Sequence, residues 1–307
     1  MGKPVALVVG ASRGMGRQVA VDLARNGYAV VVAAKSTSDA SKNVPFPPDP
    51  NSPDSTITTV AREITTAGGD ALALQVDVRF EESVNKLVSD TVAAYGRLDV
   101  LVYNSGAIYW SSVANTPLKR FQLMQRVNPE GLYAVVQAAL PHLSPAARVV
   151  VVSPPIYSRF FRGKTAYAMG KVGMSVLTKG LGMDFVREGK LAAGMAISSM
   201  WPAVAIESAA TQHFGGSSPE ERRDLRKATI FSDAVLGVLR APADKVNGEL
   251  FLDEDFLRDF CGVTDFQKYA VVPGAQPRRM LPAKLPDLSV AEQDDEGKRI
   301  DLAKPKI

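Results

Sequence analysis

Seven short and nearly unbroken apolar runs recur along this chain: VALVVG, YAVVVAAK, ALALQVDV, LDVLVYN, ARVVVVS, LAAGMAISSMWP and GELFLDE. A strand exposed on one face alternates apolar with polar residues; these runs do not, so both of their faces need covering. Parallel strands joined by crossover helices meet that need. The amphipathic stretches 16–26, 57–67, 81–95, 118–142 and 166–188 are long enough to be such helices. The expected architecture is α/β, a doubly wound, seven-stranded parallel sheet with helices on both faces. A length of 307 residues suits one unit of this kind with an appendage, here a single domain over 1–272 and an extended Pro-rich tail over 273–307. Residues 36–56, STSDASKNVPFPPDPNSPDST, follow the second run and read as an inserted surface loop rich in turn formers.

GASRGMG follows the first run directly and leads into a helical stretch. Gly10, Gly14 and Gly16 permit a tight turn and let a diphosphate approach backbone N–H groups at the positive end of a helix. Ser12, Arg13 and Met15 lie between them and share the site, which makes the sheet Rossmann-type. A site selective for NAD usually carries an acidic residue at the end of the second strand, but this chain has Lys35 there. Lys35 and Arg13 together suit the 2′-phosphate of NADP(H), with NAD(H) as the alternative if both are solvated surface charges. At the end of the third strand Asp77 is placed to meet the adenine amino group, with Val78 against the ring. Asn104, Ser105 and Gly106 end the fourth strand beside the middle of the cofactor.

Tyr167 and Lys171, in GKTAYAMGK, are one helical turn apart on one face. An ammonium beside a phenol favours the phenolate, so the pair is expected to bring Tyr167 nearer neutrality as an acid or base. Ser153 closes the fifth run at the carboxyl edge of the sheet, where its hydroxyl can polarise a carbonyl.

GASRGMG, YNSGA, Ser153 and YAMGK, in this order, resemble the short-chain dehydrogenase/reductase family over about residues 3–255. The resemblance implies that Ser153, Tyr167 and Lys171 are catalytic, with Asn128 in RVNPEG holding a water that relays protons from Lys171. It places Pro202, Ile206 and Ser208 against the nicotinamide carboxamide. It also implies a homodimer or homotetramer built through the helices of Asn128 and Tyr167. AAKS with its Pro-rich insertion, SPP, WPAVAIESAA and NGELFLDEDFL point to a subgroup whose animal members carry an added sterol-carrier domain, for which this chain is expected to have no room. Val9, Tyr103 and Ala203 depart from the family's usual Thr, Asn and Gly.

The expected reaction is hydride transfer between NADPH and a carbonyl or imine. Tyr109, Trp110, Tyr157, Phe160 and Phe161, with residues 203–230, are expected to line a pocket for an apolar or ring-containing small molecule. SSPEERRDLRKAT within that range reads as an exposed, mobile lid. The competing reading is a cofactor-binding scaffold or sensor without turnover. Scattered charge with a net +4 argues against nucleic acid, and no G-x-x-x-x-G-K-[ST] supports nucleotide hydrolysis. Cys261 stands alone, and His142 and His213 lack metal-ligand spacing. With no membrane span or leader pattern, a cytoplasmic protein is expected; the terminal PKI only faintly resembles a peroxisomal address.

Overall fold

In β1 (Val5–Val9) every residue is buried, and successive side chains leave on opposite faces. Ala6 and Val8 enter one apolar cluster while Leu7 and Val9 enter another. The same division holds in β2 (Ala29–Ala34), β4 (Leu98–Tyr103) and β5 (Leu143–Val151). With β3 (Asp70–Gln75), β6 (Ala196–Trp201) and β7 (Leu250–Leu252), they form a seven-stranded sheet in the order β3-β2-β1-β4-β5-β6-β7. All pairings are parallel, as the apolar runs predict. The computed structural model describes residues 2–213 and 218–288.

The helices are α1 (Gly14–Arg25), α2 (Ile57–Thr66), α3 (Glu81–Tyr95), α4 (Leu118–Gln125), α5 (Gly131–Ala139) and α6 (Thr165–Arg187), followed by α7 (Ala209–His213), α8 (Pro219–Arg222), α9 (Thr229–Arg240), α10 (Ala243–Val246) and α11 (Asp253–Cys261). Helices α1, α2, α9 and α11 cover one face of the sheet, and α3, α5 and α6 cover the other. Among the described residues no helix is long and apolar enough to cross a membrane.

The stretch 118–142 is not one helix. Between α4 and α5 a π-turn spans Arg126–Glu130 and contains Pro129. Proline has no N–H and its ring crowds the carbonyl four residues back, so the ladder widens by one residue. Tyr103 stabilises this turn, its buried hydroxyl donating to the Val127 carbonyl at 2.6 Å. A Cβ at position 131 would lie 2.6 Å from that hydroxyl, which explains Gly131.

The 36–56 insertion is not merely a surface loop, because its second half is built into the domain. The Gly14 N–H donates to the Pro50 carbonyl (2.9 Å), and the Ser55 hydroxyl donates to the Ser12 carbonyl (2.7 Å). Ser55 and Thr56 are buried, and Thr56 with Thr59 forms the capping box that starts α2.

The tail also returns to the domain. Met280 and Leu281 donate their N–H groups to the Ala203 carbonyl, and Arg279 forks onto Asp255 of α11 at 2.7 and 2.6 Å. Leu281 is buried with Ala203 and Leu252, against Tyr157 and Trp201. The lid expectation is met only in part. Its described residues carry the exposed α8, but Leu225 and Arg226 are buried, and Arg226 is paired with Glu254. Residue 217, the His213 side chain and the terminal PKI lie outside the described residues.

Candidate active site

The order of strands reverses between β1 and β4, which opens a crevice at their carboxyl ends. Gly10 turns the chain there with φ +90, and a Cβ on it would meet the Ser105 nitrogen at 2.5 Å. The Asn104 amide donates to the Gly10 carbonyl at 2.8 Å, and a Cβ on Gly16 would collide with both groups. Asn104 and Ser105 thus hold the glycine loop closed from the neighbouring strand. The N–H groups of Met15 and Gly16, in the first turn of α1, have no hydrogen-bond partner among the described residues. Free donors at the positive end of a helix fit the diphosphate of a dinucleotide. Asn51 of the insertion is buried beside Gly14, and its side-chain oxygen has no partner among the described residues.

At the neighbouring edge Lys35 follows β2 and Asp77 follows β3, with Lys35 Nζ 3.6 Å from the Asp77 carboxylate. Arg79, absent from the sequence-based set, grips the same carboxylate through Nε at 2.8 Å. Its hydrogen bonds outweigh burial and hold the Asp77 carboxyl down at about 2. Lys35 is therefore already paired across the two strand ends. Arg13 is half-buried within the glycine loop and makes no ion pair among the described residues. Val78 is buried beside this edge.

Ser153 lies just beyond β5, fully buried, and its hydroxyl has no partner among the described residues. Across from it, α6 carries Tyr167 and Lys171, both buried. Lys171 Nζ donates to the Val152 carbonyl at 2.8 Å, and burial lowers its ammonium to about 7. The Tyr167 phenol moves in the opposite direction to the sequence expectation. Burial raises it well above the ordinary phenol value, since the same apolar wall penalises the phenolate and the charge on Lys171 alike. Asn128 sits in the π-turn with no exposure. Its oxygen accepts from the Ala107 N–H (2.8 Å) and its nitrogen donates to the Ala107 carbonyl (3.1 Å). A Cβ on Gly106 would lie 3.4 Å from Lys171 Nζ and 3.5 Å from Asn128 Oδ1, so the three groups converge.

The expected aromatic residues form one wall around Tyr167. Trp110 and Phe160 each stand with ring centres 6.2 Å from Tyr167, and Tyr157 is 6.1 Å from Phe160. Tyr109 packs in the same cluster with Phe161, its ring under Arg120. Two members were not legible as site residues. Trp201, at the end of β6, meets Phe160 edge-on at 5.9 Å and lies 5.5 Å from Lys171 Nζ; the WPA at a strand end was its signal. Lys164 lies over Trp110 and Phe160, and nothing local in the sequence marked it.

Beyond β6, Pro202 and Ile206 are buried, with Ile206 turned into the core rather than lying open. Ser208 faces the glycine loop, its Cβ 3.6 Å from where a Cβ on Gly14 would stand. No group of three or more His, Cys, Asp or Glu among the described residues could hold a metal.

Several known proteins are similar to this chain in sequence and fold. Residues 51–210 match the family model described as enoyl-(acyl carrier protein) reductase, and residues 4–45 match that of short chain dehydrogenase. Hydroxysteroid dehydrogenase-like protein 2 of Danio rerio is 37% identical over 271 residues, 87% of this chain and 60% of its own. The human protein of that name is 34% identical over the same share. The chain thus spans less than two thirds of these curated relatives. A solved short chain dehydrogenase of Mycobacterium thermoresistibile is 34% identical, with a TM-score of 0.76, over 89% of this chain and 92% of that one.

Proposed function

The chain belongs to the short-chain dehydrogenase/reductase family, and on that premise we propose that it transfers hydride between NADPH and a carbonyl or imine carbon of an apolar or ring-containing small molecule. The observation that carries this reading is the fully buried Ser153 hydroxyl without a partner among the described residues. A buried hydroxyl left unpaired is costly, and a substrate oxygen seated between Ser153 and Tyr167 supplies the missing bond.

The nicotinamide, when bound, supplies or accepts the hydride. The Met15 and Gly16 N–H groups would hold the diphosphate, Arg13 and Lys35 the 2′-phosphate, and Asp77 with Val78 the adenine. Asn104, Ser105 and Gly106 would flank the middle of the cofactor, with Pro202, the Ile206 backbone and Ser208 at its carboxamide. Burial keeps the Tyr167 phenol protonated, which suits it to donate a proton to the carbonyl oxygen in the reductive direction. Ser153 donates a hydrogen bond to that oxygen as negative charge develops on it. Lys171, near 7, can return a proton toward Tyr167. Asn128 fixes Ala107 and keeps one amide hydrogen for a water on the path to solvent. Assembly as a homodimer or homotetramer is part of this proposal, supported by the exposed Met169, Val176, Met183 and Val186 on α6.

The test is Tyr167→Phe. NADPH binding, followed by fluorescence titration, is expected to stay within about twofold, while turnover on a carbonyl panel falls by roughly 10²–10⁴. Near-normal turnover in the variant would remove Tyr167 from its role. No NADPH oxidation by the unaltered protein on any carbonyl would favour the scaffold.

A further inference from the structure

Lys164 stands beside the proposed catalytic tyrosine with no anion among the described residues to match it. Its Nζ lies 4.4 Å from the ring centre of Phe160 and 5.0 Å from that of Trp110, and both rings pack against Tyr167. Lys164 is half-buried, and burial pushes its ammonium below the usual lysine range. Its ammonium forms no ion pair or hydrogen bond among the described residues. Aromatic faces attract a cation, but they compensate the loss of water less completely than an anion does. Lys171, the other lysine on this wall, differs in being satisfied by the Val152 carbonyl. Lys164 thus holds an ammonium without a counter-ion among the described residues, over two rings that pack against Tyr167.

We infer that Lys164 is a specificity residue that binds a carboxylate on the substrate, so that the favoured substrate is a ring-containing oxo-acid with its carbonyl at Tyr167 and its carboxylate at Lys164. This rests on the hydride-transfer reading of the site and narrows its substrate class. The rings of Trp110, Phe160 and Tyr157 cover the apolar body of such a molecule, and the ammonium selects one end of it. In the reaction the carboxylate is unchanged: hydride adds to the carbonyl carbon, the Tyr167 proton adds to its oxygen, and NADPH becomes NADP⁺. Orientation is what the ion pair adds, because it prevents the ring from entering reversed.

The chain has two tryptophans, Trp110 and Trp201, and both stand on this wall, so intrinsic fluorescence reports its occupancy. 4-Acetylbenzoate and methyl 4-acetylbenzoate share a ring and a ketone and differ in charge. Titrated into the full chain with and without NADP⁺, the acid is expected to bind about tenfold more tightly than the ester, the worth of a charge-assisted hydrogen bond. Lys164→Met keeps much of the apolar stem and should bring the two probes within about twofold, whereas Lys164→Arg should keep the preference. Equal binding of both probes to the unaltered protein, binding of neither, or a preference surviving in Lys164→Met overturns the assignment. The same titration in Tyr167→Phe reads binding without chemistry. Failure of hydride transfer, seen as no NADPH oxidation on any carbonyl, is therefore distinguishable from failure of carboxylate selection.

Discussion

Lys171 changes charge near neutral pH because its ammonium is buried, and this couples the proposed site to the stability of the fold. Its folded value of about 7 lies below the ordinary 10.5, so between these pH values the unfolded chain binds the extra proton and stability rises with pH. The slope from this residue approaches roughly 1.4 kcal/mol per pH unit at most. Urea denaturation at pH 7 and pH 9 should show the unaltered protein gaining on Lys171→Met by about 2 kcal/mol; a constant difference would contradict the assignment. Arg13 and Lys35 make a second residue-scale case. Both positions were legible from the sequence, yet the pairing of Lys35 with Asp77 was not. Part of the Lys35 charge is already answered, so Arg13→Ala should weaken NADPH by about tenfold and Lys35→Ala by less. NADH affinity should stay nearly constant in both variants, and equal losses for the two cofactors would argue against a 2′-phosphate site.

The elements show how distant segments are made to share one site. The seven strands and the helices α2, α3 and α6 match the sequence reading closely, since each carries its own periodicity. The stretch 118–142 departs from it at Pro129, and the departure buries Asn128 where it holds Ala107. The insertion departs further, because loop composition says nothing about what a loop packs on. Ser55 reaches Ser12, and Pro50 takes the Gly14 N–H, so the insertion braces the glycine loop from outside the sheet. Removing that brace with Ser55→Ala should cost about 1 kcal/mol of loop order, a several-fold loss of NADPH affinity. Far-UV circular dichroism should not change. An unaltered affinity would mean that the insertion is structurally idle toward the cofactor site.

At the scale of the whole molecule, the exposed apolar residues of α6 make a stripe, with Met169, Val176 and Met183 two turns apart. Under the proposed assembly this stripe is covered by a second copy, so Val176→Glu should give a monomer by light scattering while the unaltered chain gives a dimer or tetramer. A monomer in both samples would sink that proposal. The tail adds a second feature of whole-molecule scale: its proline content was readable, but not that Leu281 returns to the aromatic wall at Tyr157 and Trp201. Local pattern alone sets the α/β alternation, the glycine turn and the spacing of Tyr167 and Lys171, because each is encoded within one or two helical turns or one strand. Packing in three dimensions is what makes Arg79 hold Asp77, raises the Tyr167 phenol by burial instead of lowering it, and rests Lys164 on Trp110 and Phe160. These outcomes depend on burial and on contacts between segments far apart in the chain, which no local pattern records.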